Sequence, residues 1–213
     1  MIRIDFSVPT EFVEVPIGID FETAWAEVNE RNARASLEAV PDQETLPAMA
    51  QTLHQISGLL AKEGVVYAAN CLHLVDGKPA LGSLAVAVMG FPYGDDAAIA
   101  VRGALRSVLD ARGSGWSGSV IDAPCGMAAV VTGGQSYIVP AEFAPDHVEI
   151  KVPTAQFQAM IPIQRHLSDG TQGMCMVAFS TPNTDHWENV YAPMMATILR
   201  SLRFTSTAET ASV

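Results

Sequence analysis

Three cysteines and five histidines are the side chains of this chain best suited to nucleophilic, acid–base or metal chemistry, and their spacing speaks against most of it. A zinc or redox site gathers its ligands through short local spacings such as C-x-x-C, H-x-H or H-E-x-x-H. Cys71, Cys125 and Cys175 are far apart, and no two of His54, His73, His147, His166 and His186 stand four residues from one another. Neither a metal site nor a disulfide framework is expected, and each thiol reads as a small buried hydrophobe. Cys125, in "DAPCGMAAVV", offers one nucleophilic arrangement, a loop thiolate with His147 or His166 as a distant base. Nothing nearby would lower its pKa, so a buried or bend cysteine is the simpler reading. His73 lies in an apolar run and reads as a satisfied structural imidazole.

Two glycine-rich stretches, "RGSGWSGS" and "VTGGQS", lack the order of a phosphate-binding loop between a strand and a helix. "GSGWSGS" also lacks the spacing of a G-x-S-x-G nucleophile elbow. No catalytic, cofactor-binding or metal-binding residue is therefore expected. What remains is packing chemistry. The most patterned stretch is "FSTPNTDHWENVYAPMMATILRSLRF", Phe179 to Phe204. Pro182 stops a strand, Asn183 to Asp185 offer helix caps, and Glu188 stands three after Asp185 as in a capping box. Trp187, Val190, Tyr191, Met194, Met195, Ile198, Leu199 and Leu202 follow a helical rhythm, with Pro193 marking a restart or a kink. Trp187, Tyr191, Met194 and Met195, with Trp116 from the glycine-rich loop, are the candidates for a pocket or interface. The nine methionines, Met160, Met174 and Met176 among them, are adaptable enough to line such a pocket and equally suited to filling a core.

The elements that must position these residues follow from periodicity. "IRIDFSVPTEFVEVPI", broken by Pro9 and Pro16, predicts an edge strand. Phe21, Trp25, Val28 and Ala35 predict a helix to about Ala39 with one buried stripe. Leu46, Met49, Leu53, Ile56 and Leu60 predict a second, stopped at Gly64. Two apolar runs around Asp76-Gly77 predict a tight hairpin. Ile99, Val101, Leu105, Val108 and Leu109 predict a helix from about Asp95 to Arg112, ended by Gly113. "SGSVIDAPCGMAAVVTGGQSYIVP" predicts two strands joined at Gly133-Gly134, with a bend at Pro124 to Gly126. The alternation in "HVEIKVPTAQFQAMIPIQ" predicts a half-wet strand, and the continuous "MCMVAFSTP" an interior one. About seven strands, mostly hairpin-connected, with helices before, within and after them, predict an α+β fold: a mostly antiparallel sheet with helices on both faces, an α/β/α sandwich. One globular domain is expected over residues 1–204, with a flexible tail over 205–213.

The strand ending in "FSTP", the acidic and aromatic stretch with Trp187 and Tyr191, and the closing helix "ILRSLRF" together resemble the C-terminal end of the PsbP-like superfamily. That group includes photosystem II extrinsic subunits, a Ran-binding nuclear import factor and LpqN-type lipoproteins of mycobacteria. The resemblance is closest over Val177 to Phe204, and it carries no functional residue across. It implies an α/β/α sandwich and a non-enzymatic binding or accessory scaffold acting on a protein partner, with a secretion-associated accessory role as a further possibility of the same likeness.

Composition bounds the rest. With 49% apolar and 16% charged residues, the 213-residue chain can bury a core unaided. Its formal charge of −11 repels phosphate backbones and anionic headgroups, so nucleic acid and membrane surfaces are poor partners, while many acidic bacterial-type domains carry such a charge for solubility alone. No run of about 18 apolar residues and no secretory h-region is present, so a cytoplasmic protein without a membrane span is expected. The functional expectation is a binding scaffold for a protein partner. The alternative is a carrier holding an apolar small molecule between sheet and helices, without a cofactor.

Overall fold

A computed structural model describes residues 2–34, 45–139, 141, 148–167 and 169–206. In chain order these form strands β1 (Ile2–Asp5) and β2 (Phe12–Glu14), helices α1 (Phe21–Arg34) and α2 (Thr45–Lys62), strands β3 (Val65–Val75) and β4 (Lys78–Gly90), and helix α3 (Ala97–Arg112). Strands β5 (Trp116–Ala123), β6 (Gly126–Val139), β7 (Ile150–Ile163) and β8 (Gly173–Thr181), helix α4 (Ala192–Ser201) and strand β9 (Arg203–Ser206) follow. Seven strands make one antiparallel sheet in the order β2-β3-β4-β8-β7-β6-β5, while β1 pairs with β9 in a separate ribbon. The fold is α+β.

Turn chemistry sets the frame. Asp76 and Gly77 take φ values of 51° and 75°, the two left-handed residues of a tight hairpin, and fix the β3–β4 register. Helix α3 starts where the Asp96 carboxylate accepts the Ala98 and Ile99 amides at 2.8 and 3.3 Å, and ends at Gly113 with φ 76°. Strand β8 lies inside the sheet between β4 and β7, as its unbroken apolar sequence requires.

Register sorts the strands' side chains onto two faces. One face carries Tyr67, Val86, Val177 and Ala159 in one row, and Ala69, Leu84, Phe179 and Phe157 in the next. These pack with Tyr191, Met195, Ile198 and Leu199 of the C-terminal helical segment into the main core. The other face carries a smaller core of Ala129, Val131, Met160 and Met174 with Val101, under α3. Beside it, the same face turns to Ala68, Ala85 and Ala178, toward the side covered by α2.

The stretch from Phe179 onward closes the main core in a way its rhythm shows only in part. A 3-10 turn (Thr184–His186) and a π turn (Trp187–Tyr191) precede α4, so Pro193 stands in the first turn of a restarted helix, where no amide is needed. The capping expected of Asn183 is not made. Its side chain instead accepts the Leu81 amide at 2.7 Å and donates to the Pro79 carbonyl at 3.4 Å. The Leu81 carbonyl accepts the Thr181 and Tyr191 hydroxyls at 2.5 and 3.1 Å. Strand β8 ends while β4 runs on, and these side chains satisfy backbone groups that β8 no longer reaches.

Other expectations are corrected by the packing. The β5–β6 turn lies at Pro124-Cys125, and Gly133-Gly134 lie inside β6. A Cβ on Gly133 would stand 2.4 Å from the Trp116 ring, so this glycine permits a close approach and makes no turn. Helix α1 buries Ala24 and Val28, whereas Phe21 and Trp25 stay exposed. Helix α2 buries Ala50 and Ser57 in place of the expected leucine stripe. The final helix stops at Ser201, and β9 extends to Ser206, into the stretch expected to be a flexible tail. The expected run of α1 to Ala39 and residues 207–213 lie outside the described residues. No helix among the described residues is long and apolar enough to cross a membrane.

Candidate functional site

The stripe of α2 that ought to be core is instead the wall of a groove. Leu53, Ile56 and Leu60 face a cavity of about 650 Å³ over the sheet, within the range of small-molecule sites. Its floor follows from two rows of the sheet register. One row runs Asn70, Ser83, Ser180, Gln156, Gly133, Trp116 across six strands. The next runs Ala68, Ala85, Ala178, Gln158. Three alanines recess the floor where the opposite face carries Val86, Leu84, Val177 and Phe179. Helix α2 therefore stands over small side chains at this row, and Ile56 remains 45% exposed.

The polar floor is only partly engaged. Ser83 donates to Asn70 Oδ1 at 3.0 Å, Gln156 donates to the Tyr137 hydroxyl at 3.0 Å, and Gln158 reaches Met176 Sδ at 3.0 Å. Among the described residues the Ser180 hydroxyl and the Asn70 amide nitrogen donate to no protein group, so both can serve a ligand. The far wall is Trp116, lying on Gly133 with the Arg112 guanidinium 4.7 Å above its ring. Arg112 also donates to Gln135 Oε1 at 3.0 Å. The near rim carries Arg31, which is paired with Glu27 at 2.6 Å and donates to the Glu14 carbonyl at 2.8 Å.

The five candidate residues part company. Trp116 lines the groove. Trp187 lies on the opposite face, where it lines a smaller cavity of about 310 Å³ with Ile121, Phe157 and Leu199. Tyr191 and Met195 are fully buried in the main core, and Met194 packs against it. Sequence reasoning missed Arg31, Arg112, Tyr137 and the amide row. A signal for them existed in the strands, where Asn70, Ser83, Ser180 and Gln156 alternate with apolar neighbours on strands otherwise covered on both faces.

The thiols sit elsewhere. Cys71 is buried beside His73, with Sγ 3.1 Å from Nδ1, and the His73 ring meets Tyr191 edge-on at 6.0 Å. This pairing has the look of a nucleophile and base, yet burial first, and Glu11 second, push the thiol up to about 11. A thiol held neutral in that way is a packing group. Burial likewise pushes Cys175 up to about 12 and raises Cys125, which sits partly buried in the β5–β6 turn. His147, one base considered for Cys125, lies outside the described residues. His73 Nε2 is buried without a hydrogen-bond partner. Among the described residues no three His, Cys, Asp or Glu side chains converge as metal ligands.

No family model and no curated protein sequence matches the chain. One solved structure similar to it is that of LpqN, involved in cell envelope biogenesis of Mycobacterium tuberculosis. The similarity extends over 97% of this chain and 85% of that one, at 11% identity and a TM-score of 0.47.

Proposed function

We propose that this protein is a binding protein that holds an amphipathic small molecule in the groove between α2 and the sheet. The observation that carries this reading is the stripe of half-buried Leu53 and Leu60 and exposed Ile56 standing over Ala68, Ala85 and Ala178. Apolar surface left wet costs about 25 cal/mol per Å², and a ligand's hydrocarbon covering it recovers that free energy. Native mass spectrometry of freshly purified protein tests it. Retention of a ligand mass by the natural chain, lost on Ala178→Trp, is the expected result, and a bare mass for both chains that also fails to take up added dodecanoate counts against it.

A second reading, a protein-binding scaffold, has its own observation. Leu72, Leu74 and Leu81, 64%, 70% and 47% exposed, lie at the hairpin end of β3 and β4. Leu72 and Leu81 are direct partners in register, and Val13 on β2 continues the apolar surface on the same face. Leu72→Glu should abolish capture of a protein partner while leaving the retained small molecule in place. Capture unaffected by Leu72→Glu would remove this reading.

A further inference from the structure

The lining of the groove is basic although the chain as a whole is acidic. The chain carries 23 acidic and 12 basic residues, yet none of the groove's described lining residues is Asp or Glu, and two are arginines. Arg31 is neutralised by Glu27 at 2.6 Å. Arg112 has no carboxylate partner among the described residues. Its guanidinium lies over the Trp116 ring and its one hydrogen bond goes to the neutral Gln135 amide, which leaves further N–H donors open. An exposed guanidinium without a carboxylate partner, standing at the rim of an apolar groove, suits an anion that arrives with an apolar body.

Resting on the groove reading above, we infer that the ligand is an anionic amphiphile: a carboxylate or phosphate head held by Arg112 at the Trp116 end, with its hydrocarbon along Leu53, Ile56 and Leu60. The planar guanidinium can take either head through paired N–H donors. The protein's overall negative field opposes entry of such a ligand, so the site must supply its attraction at short range. Arg112 on its aromatic support supplies it.

Titration calorimetry with dodecanoate, dodecyl phosphate, dodecanol and dodecyltrimethylammonium tests this, on the natural chain and on Arg112→Gln, Arg112→Lys and Ala178→Trp. The anions should bind about tenfold or more tightly than dodecanol, and the cation most weakly. Arg112→Gln should bring the anions down to the affinity of dodecanol while leaving dodecanol unchanged, and Arg112→Lys should keep part of the preference. A tighter dodecanoate identifies a carboxylate head, and a tighter dodecyl phosphate a phosphate one. Equal binding of dodecanol and the anions, or anion binding indifferent to Arg112→Gln, overturns the inference while leaving the groove in place, provided Ala178→Trp still blocks dodecanol. Binding of no probe, or binding untouched by Ala178→Trp, overturns both.

Discussion

On one face of the sheet Leu84, Val86, Val177 and Phe179 stand against Met195, Ile198 and Leu199, all 5% exposed or less. On the other, Ala68, Ala85 and Ala178 from the same central strands lie beneath Leu53, Ile56 and Leu60 of α2 with a groove between them. Both helices carry an apolar stripe, so the helix alone does not decide the outcome. The strands decide it, because the pleat gives each a large-residue face and a small-residue face. A helix that packs onto large side chains becomes core. One held above alanines, packed against α1 and with its Ser57 hydroxyl donating to the Ile19 carbonyl just before it, leaves space a ligand can use.

The largest effect should come from breaking the filled face. Phe179→Ala removes a ring that lies 5.1 Å from Tyr191 and 6.2 Å from Phe12, and should cost about 3–5 kcal/mol in urea unfolding. Ile56→Ala on the groove wall should cost less than about 1 kcal/mol. A similar loss for the two would erase the contrast.

Added volume should separate the two faces as well. Ala159 and Ala178 sit on adjacent strands, one register step apart, and point to opposite faces. Ala159→Leu should overpack the main core at about 1–3 kcal/mol. Ala178→Leu should change stability by less than about 1 kcal/mol while weakening ligand binding, since its added atoms enter open space.

A smaller difference between the faces should appear with pH. Cys71 and Cys175 both belong to the main core, and burial raises both thiols from an ordinary value near 9 to about 11 and about 12. The folded state then holds protons that the unfolded chain releases. Their contribution is complete below pH 9 and is lost as pH rises through about 11 to 12. Urea midpoints should fall over that window, and Cys71→Ala with Cys175→Ala, though less stable at pH 8, should show a flatter fall. Equal slopes for the two chains would mean the thiols are not held neutral by the fold.

Much of this architecture is legible in the residue pattern, because the deciding signals are local. Asp76-Gly77, Asp96 and Gly113 act through their own backbone preferences, and the apolar run of β8 states its interior place. The groove is not legible in the same way. Leu53, Ile56 and Leu60 carry the periodicity of a buried stripe, and only the register of β3, β4 and β8 shows that alanines lie opposite. Gly133 misleads for a related reason, since a glycine that admits the Trp116 ring is indistinguishable in the chain from one that makes a turn. Trp116 could be suspected as a pocket residue, but its partner Arg112 comes from the end of the preceding helix, and only the fold brings the guanidinium over the ring.

The three tryptophans report on three different surfaces, Trp25 on exposed α1, Trp116 in the groove and Trp187 on the α4 face. Single-tryptophan chains that keep either Trp116 or Trp187, titrated with a bromine-tagged dodecanoate whose heavy atom quenches only nearby indoles, test whether the ligand lies in the groove. Saturable quenching of Trp116 with Trp187 unaffected is the expected result. Quenching of Trp187 with Trp116 unaffected, or of neither, would contradict it.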